Sequence, residues 1–457
     1  MAVSKDSRLT LACLLITILL DMVGYGIIVP VLPELLKDLT GGSVAQAAVI
    51  GGWLVFLYAS VLFVSSPFLG NLSDRFGRRP VLLASLLGLT FDYTMMGFAP
   101  VVWYLFIGRF ISGVSGAAVA TATAYMADIT PPAKRTQRFG LIGAAFGLGF
   151  IIGPIIGGEL GEFGPKVPFY AAAGLAFANF LFGLFVLPES LSRQHRRPFD
   201  IRRANPFGAF LALRQYPVVL WLLLALLFFT MAAQAFPSVF NYFTIEVFNF
   251  TSSQIGRSLG AFGITFAVFQ AVAVGPLVKR FGETAVVVIG MTAAVLAFAG
   301  IAFIKDPNWL YVLIGLGAAS GLAAPAINGV MSRQVPDNAQ GELQGAVNAA
   351  NSLATIIGPL MATQIFAYFT LSEVSPTYFP GAPFILASAL VVVAISIFLY
   401  VALRFDLSHK PSVASHPRTL EMAPPGQILV PTPNNPEDDT ENGDGDISVD
   451  EPLRPRY

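Results

Sequence analysis

Apolar runs of about twenty residues recur along the whole chain, separated by short stretches in which glycine, proline and charge concentrate. A run of that length crosses a hydrocarbon core of roughly 30 Å as a helix. Inside hydrocarbon every backbone polar group must be satisfied within its own segment, so these runs predict helices rather than strands or loops. Twelve spans are expected, at 9–32, 46–66, 81–99, 102–126, 139–160, 167–188, 218–240, 256–277, 285–304, 309–330, 343–369 and 382–404. The apolar stretch at the N-terminus is too long for a signal peptide and lacks a small-residue cleavage site, so it reads as a retained first span.

Composition supports the pattern. Hydrophobic residues make up 55% of the 457 and charged residues 12%, where a soluble chain is about a quarter charged; the mean hydropathy is +0.69. An all-α, polytopic membrane protein is expected. A single cysteine, Cys13, excludes a disulfide framework and a cysteine-based metal site. His195, His409 and His416 all lie outside the apolar runs, so neither a metal nor another cofactor is expected. An enzyme is not expected either, since the chain has no phosphate-binding Gly-Lys-Ser/Thr loop and no nucleophile elbow.

Lys and Arg set the expected orientation. With both termini cytoplasmic, 22 of the 27 fall on the cytoplasmic side, Lys37, Lys166, Arg257 and Lys305 lie outside, and Arg109 sits within a span. That asymmetry follows the positive-inside rule. The chain also repeats itself at an offset of 205 residues: "GNLSDRFGRR" from Gly70 returns as "GPLVKRFGET" from Gly275, and "IIGPIIGG" from Ile151 as "IIGPLMAT" from Ile356. Two six-helix halves of the same orientation are expected, 1–188 and 218–404, joined by a basic cytoplasmic linker at 189–217. Parallel repeats of this kind hold substrate near the bilayer midplane, between halves that rock for alternating access. The remainder, 405–457, is rich in Pro, Asp, Glu and Asn and is expected to be disordered.

Few residues within the spans can carry chemistry. Asp21 and Asp92 lie in the first and third, and Arg109 in the fourth. A charge at bilayer centre costs at least about 2.5–3.5 kcal/mol and so faces a cavity or a partner. Two roles are open for the carboxylates: binding the transported proton, or a structural hydrogen bond to a neighbouring helix. Arg109 needs an anionic partner; it could exchange partners during transport or simply fix a buried ion pair. Span five packs Gly149, Gly153, Pro154, Gly157 and Gly158 together, which permits close helix approach and a proline bend. In the second half, Gln234, Ser238 and Asn241 share one helical face, and Gln270, Asn348 and Asn351 add polar positions. These could line a substrate cavity or form interhelical hydrogen bonds.

The stretch "GNLSDRFGRRP" resembles the loop signature of the major facilitator superfamily. "RFISGVSG" and "GLGFIIGPIIGG" look like the span-four and span-five motifs of its drug/proton antiporter branch, and "LLDMVGYGIIVPVLPELL", "MADIT" and "QGELQGAV" are similar to tetracycline/proton antiporters. The resemblance implies that Gly70 and Gly77 permit a tight turn, and that Asp74, Arg75, Arg78 and Arg79 form a cytoplasmic charge network latching the halves. It implies functional roles for Asp21, Asp74, Asp92 and Arg109, and a cavity role for Gln270. Two positions depart from that branch: Phe266 stands where a histidine is expected, and Ala294 where an acid is expected. A proton-coupled exporter of a small amphipathic or organic solute is therefore expected, without tetracycline being implied. Proton-coupled or facilitative metabolite transport, and a non-transporting receptor or scaffold of the same fold, are the alternatives. Expected partners are a small-molecule substrate, the proton and the lipid bilayer, with no nucleic acid, and a monomer in the cell membrane.

Overall fold

The computed structural model describes residues 8–116, 118–131, 134–198, 213–371, 377–405 and 407. The tail expected to be disordered lies outside these residues apart from Phe405 and Leu407, and so do residues 199–212 of the basic linker. The regular elements among the described residues are helices. The first region holds α1 (Arg8–Ile28), α2 (Leu32–Thr40), α3 (Val44–Phe76), α4 (Arg78–Gly97), α5 (Val102–Ser115), α6 (Ala118–Asp128), α7 (Arg135–Gly161) and α8 (Val167–Val186). After the linker come α9 (Pro217–Ala233), α10 (Ala235–Phe248), α11 (Ser252–Val268), α12 (Val274–Phe303), α13 (Pro307–Ala318), α14 (Ala323–Arg333), α15 (Gln340–Thr370) and α16 (Ala382–Arg404).

Local chemistry explains several boundaries that periodicity alone misplaced. The expected first span, 9–32, ends at Ile28, because Pro30 disfavours helical geometry at the residue before it. The chain restarts as the short α2, which was not foreseen, with Pro33 in its first turn and Gly41 (φ 64°) closing it. A capping box opens α3: Gln46 N–H donates to Ser43 Oγ at 3.3 Å and Ser43 N–H to Gln46 Oε1 at 3.2 Å. Thr251 and Gln254 repeat the device at α11, and a cap of this kind is worth about 1 kcal/mol.

The second span, expected at 46–66, continues to Phe76, so most of the charged signature is helical. Gly77 alone makes its turn, at φ 110° and ψ 157°, a region that side chains with a Cβ avoid. Gly70 does not take part; it lies inside α3, where an added Cβ would meet nothing within 4 Å. The counterpart of Gly77, Gly282, has φ 78° and ψ 161° and breaks what would otherwise be one continuous helix over Ser252–Phe303. Eleven helical segments among the described residues are long and apolar enough to cross a membrane, that 52-residue stretch being one of them.

The outer surface is apolar: Phe185 is 81% exposed, Leu403 87% and Trp103 73%. Such a surface suits lipid and not water. Helices before the linker pack mainly on one another, α1 against α7 and α8 and α4 against α5 and α8, and those after it do likewise, α16 against α9 and α12. The two groups meet chiefly through α7 with α11 and α3 with α15.

Glycine governs where they meet. A Cβ on Gly153 or Gly157 would strike the α1 backbone around Val23, Gly26 and Ile27. One on Gly158 would strike Ser252 and Gly256 of α11, and Gly256 in turn lies against the carbonyl of Pro154. With no side chain in the way the backbones come together. At the opposite end of α7, Gly140, Gly143 and Gly147 meet nothing within 4 Å. Helix α7 thus runs from an end packed tightly between α1 and α11 to one where its glycines are free. Replacing Gly158 by Val should force α7 from α11, read as longer spin-label distances between positions 164 and 249; an unchanged distribution would mean that this contact does not hold the end closed.

Candidate transport site

Four helices bring the span charges together. Asp21 of α1, Tyr58 of α3, Tyr93 of α4, and Arg109 and Ser112 of α5 line a cavity of about 50 Å³ that Tyr25 borders. At about 30 Å³ per water in the liquid, this is room for one or two solvent-sized groups. Arg109 Nη2 donates to the fully buried Asp92 Oδ2 and lies 3.1 Å from Met96 Sδ. Its guanidinium also sits over the Tyr58 ring, 5.6 Å from the centroid. The absence of a side chain on Gly108 makes room for Asp92: a Cβ there would stand 2.6 Å from Asp92 Oδ1. Asp21 is only partly buried and, among the described residues, has no hydrogen-bond or ion-pair partner. The two carboxylates are thus different in kind, one locked to Arg109 and one free.

Tyr25 also walls a second, larger cavity of about 210 Å³. Phe150 of α7, Phe236 of α10, Phe262 and Phe266 of α11 and Phe298 of α12 face it. Phe236 and Phe262 lie 4.6 Å apart at 34°, and Phe262 and Phe266 5.8 Å apart at 33°, a tilted row of rings. Among the lining residues only Tyr25 and Ser320 bear a polar side chain, and no lining carboxylate, lysine or arginine is present. Phe266 and Ala294, the two positions that depart from the tetracycline branch, both belong to this wall.

None of the six polar candidates for a cavity wall is among the residues that line these two cavities. Gln234 Nε2 donates to Thr355 Oγ1 at 2.7 Å, and Ser238 Oγ to the Gln234 carbonyl at 2.6 Å. Gln270, in a π-helical turn over Phe269–Ala273, donates to the Gly321 carbonyl at 2.9 Å. Asn241 bonds across the helix groups to the Val29 carbonyl at 2.5 Å. Asn348 and Asn351 are exposed. Bonds to another segment account for Gln234, Asn241 and Gln270, and a bond within its own helix for Ser238, and a shared face in sequence could not distinguish these from lining a cavity.

At the closed end a polar seam that sequence reasoning missed joins the helix groups. Glu159 accepts from Arg257 Nε at 2.8 Å and from Ser253 Oγ at 2.9 Å, Glu162 from the Ser253 N–H at 3.2 Å, and Glu34 from Ser252 Oγ at 3.0 Å. These contacts lie on the same turns as the Gly158–Gly256 approach.

The charged signature sits at the other end. Arg78 pairs with Asp74 at 2.7 Å and with Asp128 at 3.2 Å, and Ser190 Oγ donates to Asp128 at 3.0 Å. Glu189, also missed from sequence, accepts from the backbone N–H groups of Arg78 at 2.9 Å and Arg79 at 3.3 Å. It thereby caps α4, where the helix dipole favours an anion. Arg79 donates instead to the Leu184 carbonyl at 2.5 Å, and Arg75 stacks on Phe76. Among the described residues the contacts of this network close within residues 73–197, so in this conformation it ties α3, α4, α6 and the start of the linker together instead of bridging the two helix groups. The repeat carries a reversed pair, Glu283 with Arg333 at 2.6 Å, at the positions 205 beyond Arg78 and Asp128.

Comparison with known proteins agrees with this arrangement. The Major Facilitator Superfamily model matches residues 14–359 and 239–433. The class C tetracycline resistance protein of Escherichia coli is 40% identical over 390 residues, 85% of this chain and 96% of that protein. Multidrug resistance protein 2 of Bacillus subtilis is 30% identical over 367 residues, 79% and 90% respectively. Among solved structures, the nucleoside transporter NupG superposes with a TM-score of 0.68 at 16% identity, covering 87% of this chain and all of that one. The human organic anion transporter TETRAN superposes at 0.62 with 24% identity, covering 86% and 99%. These two share the fold. With a family match across the chain and relatives of this identity along most of its length, the chain belongs to the Major Facilitator Superfamily.

Proposed function

We propose that this transporter exports a small organic solute in exchange for protons, with Asp21 as the carboxyl that gains and loses the proton. The observation that carries the reading is the free, partly buried Asp21 beside Tyr25, whose other side walls an aromatic cavity. Asp92 has a different part: locked to Arg109, it keeps that cation in place and holds the pocket polar. Relatives named for tetracycline and multidrug resistance support efflux as the direction.

The bundle is read as two six-helix halves with twelve crossings, Gly282 acting as the turn that Gly77 makes in the first half. Both termini and the charged signature are assigned to the cytoplasmic side on the Lys/Arg asymmetry. The closed end, with Gly158, Ser252 and Arg257, is then extracytoplasmic, and the conformation faces inward. In the opposite state the Asp74–Arg78–Asp128 network would meet the second half and act as the latch. One chain contains the whole site, so a monomer suffices. Each proton entering supplies about 2.3 kcal/mol per 100 mV and about 1.4 kcal/mol per pH unit, enough to concentrate a solute more than tenfold.

Reconstituted vesicles enclosing a pH-sensitive dye test the reading against a panel of solutes. Solute-dependent proton movement is the expected result and identifies the ligand together with the coupling. Solute flux indifferent to an imposed pH gradient would replace antiport with facilitated passage.

A further inference from the structure

The larger cavity has a chemistry of its own, and it limits what can be exchanged for the proton. Within the antiport reading above, we infer that the substrate is an aromatic molecule without net charge, and that its exchange for one proton is electrogenic.

Shape and polarity lead to the first part. Phe236, Phe262 and Phe266 stack in offset on one another, with tilts of 34° and 33°, and Phe150 and Phe298 face the same cavity from α7 and α12, so aromatic rings border it on several sides. An aromatic ring system placed among them meets ring faces and edges, the offset and edge-to-face contacts that aromatic pairs favour. Two hydroxyls, Tyr25 and Ser320, offer the available side-chain hydrogen bonds, enough to orient a ligand with one or two polar atoms. A charged ligand fares worse. Ring faces attract cations, but a buried charge needs a partner, and the lining carries none. Asp21, a carboxylate not already paired, lines the smaller cavity, which shares Tyr25 with this one and which Arg109 also lines. For an anion the lining offers no cation, and Arg109 of the smaller cavity is already committed to Asp92.

Charge balance leads to the second part. Asp92 is held by Arg109, which leaves Asp21 as the one free carboxyl in the site. A turnover therefore carries one proton inward on Asp21 and one neutral molecule outward. One positive charge moves per cycle, and membrane potential alone should drive export. Exchange for a monovalent cation would move none.

A matched pair of probes tests both parts: acridone, planar and neutral, and N-methylacridinium, of the same outline with a fixed positive charge. Fluorescence titration of the full-length purified protein should find acridone bound at least tenfold more tightly. Binding should weaken about tenfold in Phe266→Leu, which keeps apolar bulk and removes the ring, with the unfolding temperature unchanged; Phe298→Leu provides a second variant should the first misfold. In proteoliposomes without a pH gradient, a potassium/valinomycin potential should drive acridone export, and acridone should evoke a current on a supported membrane. Equal or tighter binding of the cation, or acridone binding indifferent to both phenylalanines, overturns the substrate class. Proton release driven by a charged probe and not by acridone keeps the antiport reading and overturns this one. Acridone transport without current overturns the electrogenic cycle. No proton movement with any probe, while Phe266→Leu still loses acridone binding, removes antiport and with it the electrogenic cycle, yet supports the substrate class.

Discussion

Asp21→Asn should reduce solute-driven proton movement to background while downhill solute exchange continues. Asparagine keeps the size and hydrogen-bonding capacity of the side chain but cannot exchange a proton. Because Asp21 has no partner among the described residues, its replacement breaks no ion pair and leaves no other charge exposed. Folding should therefore be nearly unaffected, and the defect should appear in coupling. The readout is the ratio of protons moved to solute moved in the same vesicles. A preserved ratio would assign proton transfer elsewhere and leave Asp21 a structural polar group. Loss of all solute movement, including downhill exchange, would mean that Asp21 is needed for the conformational change itself.

Arg109→Ala is expected to be the most damaging single change for stability. It leaves Asp92, 0% exposed, without its cation and surrounded by α4 and α5. Removing one member of a buried pair costs about 3–5 kcal/mol because the other is left uncompensated. At about 2 °C per kcal/mol, that is a fall of roughly 6–10 °C in unfolding temperature. The double change Arg109→Met, Asp92→Asn should recover most of the loss, since a neutral pair has no unpaired charge to bury. Thermal unfolding of the parent, both single variants and the double variant in detergent completes the cycle. Additive single effects, with no recovery in the double variant, would show that the two side chains do not depend on each other for burial.

The spans, the repeat at 205 and the charged signature were legible because each is local: a run of apolar residues long enough for the bilayer, a glycine flanked by opposite charges, a proline among glycines. Asp21, Asp92 and Arg109 stood out because ionisable groups are costly in hydrocarbon wherever the fold places them. Phe266 and Ala294 could be marked as departures from a resemblance, and both line the aromatic cavity. Less well read were features that depend on which helices touch. Gln234, Ser238 and Asn241 share a face, but a face does not reveal whether it looks into a cavity or at a neighbouring helix, and here it makes helix-to-helix and backbone bonds. Glu34, Glu159 and Arg257 have partners on other helices, and no local pattern in the chain marks those pairings.

The sequence by itself determined that this is a helical membrane protein of repeated design with two acids and one arginine inside it, because hydrophobic length and the cost of buried charge act residue by residue. The tertiary structure alone decided which acid is free. Asp92 lies against Gly108 on the neighbouring helix, where Arg109 reaches it, while Asp21 faces a small cavity beside Tyr25. Pairing is a matter of distances between helices that the chain brings together only on folding, and no spacing along the sequence encodes them.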